Sequence, residues 1–184
     1  HYVAFNIAAS TLFLVAMGLL YGVLGTLNMA EMAVRVAEVP AGDLALVQAA
    51  AGLLLVVLCA KAAVLPMYFW LPQTYTHAPA AVAGLFAVMT KVGLYAVLRV
   101  GMLSFGAAGA LDGFAWPALL VLGGATLVLA ALGVLASRRL RSLAAYLVLA
   151  SAATLFIAFA LATAGTISAG LYYLAQSTFA GAAL

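Results

Sequence analysis

The sequence predicts an all-α fold, a polytopic bundle of transmembrane helices. Three observations carry that prediction. The 184 residues are 69% hydrophobic and only 6% charged, against about 25% charged in soluble domains. The apolar residues gather into runs close to the ~20 residues a helix needs to cross a hydrocarbon core, with room for about six spans. Prolines, glycines and short polar clusters punctuate those runs.

The first span runs from about Val3 to Gly25. Asn6 and Ser10 are tolerable near its end, and Gly18, Gly22 and Gly25 recur at a spacing that lets helices approach closely. Residues 27–43 form a polar connection with Glu31, Arg35, Glu38 and Asp43. Within it, Met29 to Val39 suits a short interfacial helix ended by Pro40 and Gly42. The second span is Leu44 to about Pro66, where the ring clashes with the carbonyl four residues back, so a kink or break is expected. Pro72 follows. The aromatic and polar stretch from Met67 to Ala78 suits a membrane interface, or a broken helix buried among neighbours.

Pro79 opens the third span, which ends at Arg99, an interface anchor. A connection with Asp112 and Trp116 leads to Pro117 and the fourth span, Ala118 to Ala136. Arg138, Arg139 and Arg141 make the next turn, Ser142 to Thr163 is the fifth span, and a sixth begins at Thr166. Ser151 and Thr154 read as packing residues. There is no internal repeat, linker or separate soluble domain. The chain opens on His1 without a signal-peptide n-region and stops at Leu184 inside an apolar segment. We therefore expect residues 1–184 to be the central fragment of one larger transmembrane domain.

Charge sets the expected orientation. Cytoplasmic loops collect Lys and Arg, so the Arg138–Arg141 loop should face the cytoplasm. Counting helices backwards puts the 27–43 and 100–116 connections outside and the 67–78 stretch inside. The net charge of +3 is spread along the chain and does not point to nucleic acid. The single cysteine, Cys59, rules out an internal disulfide and fits packing. No Cys/His cluster suits a metal, and the sequence lacks a glycine-rich phosphate loop and a Ser/His/Asp set. No cofactor is expected, and two histidines make a haem-ligating pair improbable.

Two residues break the apolar pattern most. Lys91 lies near the middle of the third span and Lys61 near the end of the second. A lysine at membrane depth costs about 2.5–3.5 kcal/mol on insertion scales. Such a group is kept for a proton or ion path, or for a fixed ion pair. Where burial and a nearby carboxylate oppose each other, a lysine can gain and lose a proton near neutral pH. Lys61 reaches the interface if its helix stops at Pro66 and is buried if the helix only kinks. His77 suits either a cytoplasmic proton shuttle towards Lys91 or an ordinary interfacial residue. Tyr173, Gln176, Ser177 and Thr178 form a polar set in the sixth span that could line a hydrated path or hold helices together. No carboxylate lies within an apolar span to pair with either lysine.

The stretch Lys61-Ala-Ala-Val-Leu-Pro-Met-Tyr-Phe-Trp-Leu-Pro72 resembles the pattern K-A-x-x-x-P-x-(H/Y)-x-W-L-P of the antiporter-like membrane subunits. Complex I, membrane-bound hydrogenases and the Mrp/Pha multisubunit cation/proton antiporters share these subunits. The segment from Ala78-Pro-Ala-Ala through Thr90-Lys91 to Arg99 is similar to the family's next helix. Leu140-Arg-Ser-Leu-Ala-Ala-Tyr146 is similar to its D-x-K-R-x-L-A-Y helix start. Within the family, Tyr21 to Ala30 and Leu171 to Thr178 look most like the D subunit of an Mrp/Pha antiporter.

The resemblance implies a fold of about fourteen helices in all, with a helix broken near Lys61, Pro66 and Pro72. It implies that Lys61 pairs with a glutamate on a preceding helix, and that Lys91 passes protons along a hydrated axis. Complex I relatives carry H-x-x-N-H-x-x-x-K where this chain has Tyr173, Gln176, Ser177 and Gly181. Two functions are thus expected: a subunit of a Na⁺ or K⁺/H⁺ antiporter, or a proton-pumping subunit of a redox complex. A membrane scaffold with both lysines in fixed ion pairs is the third reading. The implied partners are other membrane subunits and the bilayer, in a bacterial plasma membrane.

Overall fold

The computed structural model describes residues 2–101 and 116–183. Its helices are α1 (Tyr2–Leu24), α2 (Met29–Ala37), α3 (Leu44–Lys61), α4 (Trp70–His77), α5 (Ala80–Val100), α6 (Trp116–Ala136), α7 (Leu140–Ala160) and α8 (Ala164–Ala183). Five of them, α1, α3, α5, α6 and α7, are long and apolar enough to cross a membrane. α8, the expected sixth span, matches them in length at 20 residues but is the most polar of the long helices. The connection between α5 and α6, with Asp112, falls outside the described residues except at its ends.

α3, α5 and α7 supply most of the buried core, and α1 and α6 flank them. On the flanking helices Leu14 and Leu135 point outward, as a surface facing hydrocarbon allows. α6 packs along α7, α1 along α3, and α5 touches α3, α7 and α8. Gly18 and Gly22 on α1 face open space, so the close helix approach expected there is not made among the described residues.

α1 ends where Gly25 takes a left-handed conformation, φ +69°. The Arg35 guanidinium then donates to the Leu24 carbonyl at 2.8 Å, satisfying a helix-end acceptor. Asn28 caps α2 by accepting from the Ala30 N–H, and Met32 and Val36, one turn apart, turn inward. Glu31 accepts from the Thr26 hydroxyl at 2.7 Å and pairs with Arg35 at 2.5 Å. The Thr26 hydroxyl, and then the Arg35 guanidinium, hold its carboxyl below the usual carboxylate range.

The second span corrects the expectation. Its helix stops at Lys61, not at Pro66. The proline's clash falls on the carbonyl four residues back, that of Ala62, so the chain must leave the helix there. Ala63 takes a positive φ of 56°, and Leu65–Pro66 is a cis bond. Ala62, Ala63 and Val64 are fully buried, so their freed polar groups need partners inside the protein. The Val64 N–H donates to the Cys59 carbonyl at 3.0 Å, and the Leu65 N–H donates to the Thr126 hydroxyl of α6 at 3.0 Å. The Trp70 indole donates to the Ala60 carbonyl at 2.8 Å. The chain turns helical again at α4, where Pro72 sits in the first turn and its missing N–H costs nothing. Of the two readings of residues 67–78, the structure takes the broken, buried helix: Trp70, Leu71, Pro72 and Tyr75 are all buried.

Candidate functional site

The depth of the break follows from one glycine. A Cβ on Gly93 of α5 would lie 3.0 Å from the Ala62 nitrogen and 3.1 Å from the Lys61 carbonyl carbon. Only glycine lets the two backbones approach so closely. Gly93 is about one turn from Thr90, the midpoint of α5. The end of α3 therefore lies level with the middle of a membrane-length helix. Lys61 is thus placed at depth and not at the rim. Its ammonium is half-buried and donates to the Asn6 side-chain oxygen on α1 at 2.6 Å.

Lys91 is 2% exposed. Its ammonium donates to the Ser151 hydroxyl of α7 at 2.5 Å. Thr90 beside it is fully buried and closes its own hydrogen bond onto the Ala87 carbonyl. Each lysine therefore meets one neutral oxygen. The ion pair Arg35–Glu31 lies far off at the α1–α2 joint, and among the described residues no carboxylate reaches either ammonium.

Ser151 also lines a cavity of about 220 Å³ between α7 and α8, together with Leu147, Val148, Tyr173, Gln176, Ser177 and Gly181. Three members of the expected polar set are thus brought beside the partner of Lys91. The fourth, Thr178, is not on that wall; its hydroxyl donates to the Leu174 carbonyl at 2.6 Å. A larger cavity of about 400 Å³ adjoins it, lined by Tyr75, Ala78, Ala80, Ala83, Leu147 and Arg141 among others. The two share Leu147 and Gly181. The larger one brings Ala78, Ala80 and Arg141 together at one end of the bundle.

His77 is at the exposed end of α4, with Nδ1 2.8 Å from the Gln73 carbonyl. It borders a different, open hollow with Tyr2, Gln73 and Phe86. The structure does not bring it to Lys91 or to Ser151. Sequence reading missed Asn6 and Ser151 as lysine partners. A polar residue inside an apolar run was the available signal, but the partners are 55 and 60 positions apart in the chain.

Comparison with known proteins agrees with this architecture. A family model described as NADH:quinone oxidoreductase/Mrp antiporter, TM, matches residues 1–184. The D subunit of a probable K(+)/H(+) antiporter of Rhizobium meliloti is 44% identical over 179 residues, covering 97% of this chain and 33% of that protein. The D subunit of a Na(+)/H(+) antiporter of Bacillus subtilis is 37% identical over 174 residues, covering 94% of this chain and 34% of its own length. A chain in the structure of the Mrp complex from a Dietzia species superposes with a TM-score of 0.86 at 30% identity, covering 100% of this chain and 33% of that one. The chain thus spans about a third of the length of the relatives it matches. Its five helices long and apolar enough to cross a membrane fit a transmembrane bundle, and the chain belongs to the NADH:quinone oxidoreductase/Mrp antiporter transmembrane family.

Proposed function

We propose that this chain forms the central part of an antiporter-like subunit in a multisubunit complex of a bacterial plasma membrane, exchanging Na⁺ or K⁺ for protons. Lys61 and Lys91 carry the protons, and the Arg138–Arg141 loop faces the cytoplasm. The observation that supports this most is the pair of lysines at membrane depth, each held by one neutral oxygen. A fixed ion pair would need a carboxylate at each ammonium. Among the described residues each ammonium meets only a neutral acceptor, which holds it less firmly than an ion pair and suits a group that releases and regains its proton. Tyr173, Gln176 and Ser177, on the cavity beside Ser151, extend the polar route towards the end of the bundle that holds Arg141. His77 serves as a solvent-facing residue at that end, or as an entry group by a separate hollow. The names of the K⁺/H⁺ and Na⁺/H⁺ relatives support the choice of cations.

The second reading is a proton-pumping membrane subunit of a complex I-like oxidoreductase or hydrogenase, since the family description names NADH:quinone oxidoreductase beside the Mrp antiporter. Tyr173, Gln176, Ser177 and Gly181, in place of that branch's His, Asn and Lys pattern, favour the antiporter.

The test is Na⁺- or K⁺-dependent proton exchange in inverted vesicles carrying the assembled complex, wild type against Lys91→Ala. Assembly is followed on native gels. We expect exchange to fall by at least about a hundredfold with assembly intact, the scale of losing a proton-transfer group. Normal exchange with assembly intact, or reduced assembly with an unchanged rate per complex, would return Lys91 to a scaffold role.

A further inference from the structure

We infer that Ser151 is the hydroxyl through which Lys91 exchanges its proton with water in the cavity between α7 and α8. The inference rests on the antiporter reading and adds a residue and a direction to it.

Ser151 touches both sides of the proposed transfer. Its Oγ accepts from the Lys91 ammonium, and the residue lines the α7–α8 cavity. Its own hydroxyl proton has no protein acceptor among the described residues, unlike that of Thr154 one turn later, which closes onto the Ala150 carbonyl. A serine in a helix commonly bonds back to its own preceding turn. Ser151 is instead free to donate into the cavity. The cavity, at about 220 Å³, holds several waters at ~30 Å³ each. Its walls offer the Gln176 amide and the Tyr173 hydroxyl, neither with a hydrogen-bond partner among the described residues, and the Ser177 hydroxyl on the Leu174 carbonyl at 3.3 Å. Space of this size lined by unpartnered polar groups suits water.

The transfer balances over one serine. An Nζ–H bond of Lys91 breaks as an Oγ–H bond forms, while the original hydroxyl proton leaves Oγ for cavity water. Lys91 ends neutral, Ser151 is unchanged in composition, and one positive charge has moved into the cavity. Rotation of the hydroxyl resets the relay. The titratable groups on elements packed against α5 are Tyr2 of α1, Lys61 and Cys59 of α3, Tyr75 and His77 of α4, Arg141 and Tyr146 of α7, and Tyr172 and Tyr173 of α8. Helices α3, α4, α5, α7 and α8 carry no Asp or Glu, so no carboxylate on them competes with the serine as acceptor.

The experiment compares Ser151→Ala, Ser151→Thr and Lys91→Ala in the assembled complex, measuring exchange per assembled complex from pH 6 to 9, roughly the range that spans neutral titration. Ser151→Ala should slow exchange about tenfold or more and flatten its pH dependence, and Ser151→Thr should keep at least about half the rate. Gln176→Leu, which leaves Ser151 in place but dries the cavity wall, should also slow exchange several-fold; it decides the matter if the serine variants assemble poorly. Full activity in Ser151→Ala beside an inactive Lys91→Ala would overturn the relay and leave the antiporter reading standing. Equal losses in the Ala and Thr variants would overturn it as well, because the hydroxyl would then not be what counts. Normal exchange in Lys91→Ala itself would remove the reading beneath both.

Discussion

The two lysines each donate to one neutral side-chain oxygen, but the helices that carry them differ. Lys91 stands on an unbroken helix and is placed by a side chain, Ser151 of the facing α7. Lys61 stands at the last residue of a helix that stops at membrane depth, and its place is set by backbone: the turn at Ala62 and Ala63, the Thr126 hydroxyl on Leu65, and the Gly93 contact. Side-chain placement can be altered without moving the fold, whereas backbone placement cannot. Substitutions near Lys91 should therefore change transport first, and those near Lys61 should change stability and transport together.

The largest stability effect should come from Gly93→Ala. Its new Cβ would press on backbone, not on a flexible side chain, so the expected cost is about 3 kcal/mol, the upper part of the overpacking range. Thermal dissociation of the purified complex should show it as a lowered midpoint. Gly181→Ala is the control, because its Cβ would find only Val148 at 3.5 Å and Ala87 at 3.6 Å, ordinary contacts. If both variants melt alike, the close approach at the break is not what holds α3 and α5 together.

A smaller loss should follow Thr126→Val, which keeps the side-chain shape and leaves the half-buried Leu65 N–H without its acceptor. An unsatisfied donor that is only half-buried costs about 1 kcal/mol, the low end of the buried-donor range, and hydrogen exchange at Leu65 should quicken while Lys91-dependent exchange changes little. Slowed transport at unchanged stability would mean that the two lysine sites are less separable than their geometry implies.

The smallest effect concerns the α1–α2 joint, away from both lysines. Glu31 has its folded-state pKa below the unfolded value, so its stabilisation is present above the unfolded pKa and is lost as pH falls through the folded one. Acidification through the carboxylate range should loosen α2 alone, seen as faster hydrogen exchange at Ala30 to Met32. Glu31→Gln should abolish that pH response and leave the melting of the α3 break untouched.

How much of this could be read from the chain depends on the range of each interaction. The long helices and the short α2 were legible because apolar length, Pro40, Gly42 and Pro117 act locally. Broken-helix character was legible from Pro66, but the helix end was misjudged by several residues because a proline acts on the carbonyl behind it. The lysines stood out by composition alone. Their partners did not, since Asn6 and Ser151 meet them only through tertiary packing. The separation of His77 from Lys91 was equally hidden, because its distance along the chain says nothing of which side of α4 it faces.

A helix that ends in the middle of a membrane has a consequence of its own. Aligned peptide dipoles leave about half a negative charge at a helix C-terminus. α3 delivers that partial charge to the level of Gly93, and Lys61 is the basic residue of its last turn. The cation thus has a counter-charge made of main chain, one that no protonation removes and no side-chain replacement deletes. Such a helix end can steady an ammonium during the part of a cycle when no acidic group attends it.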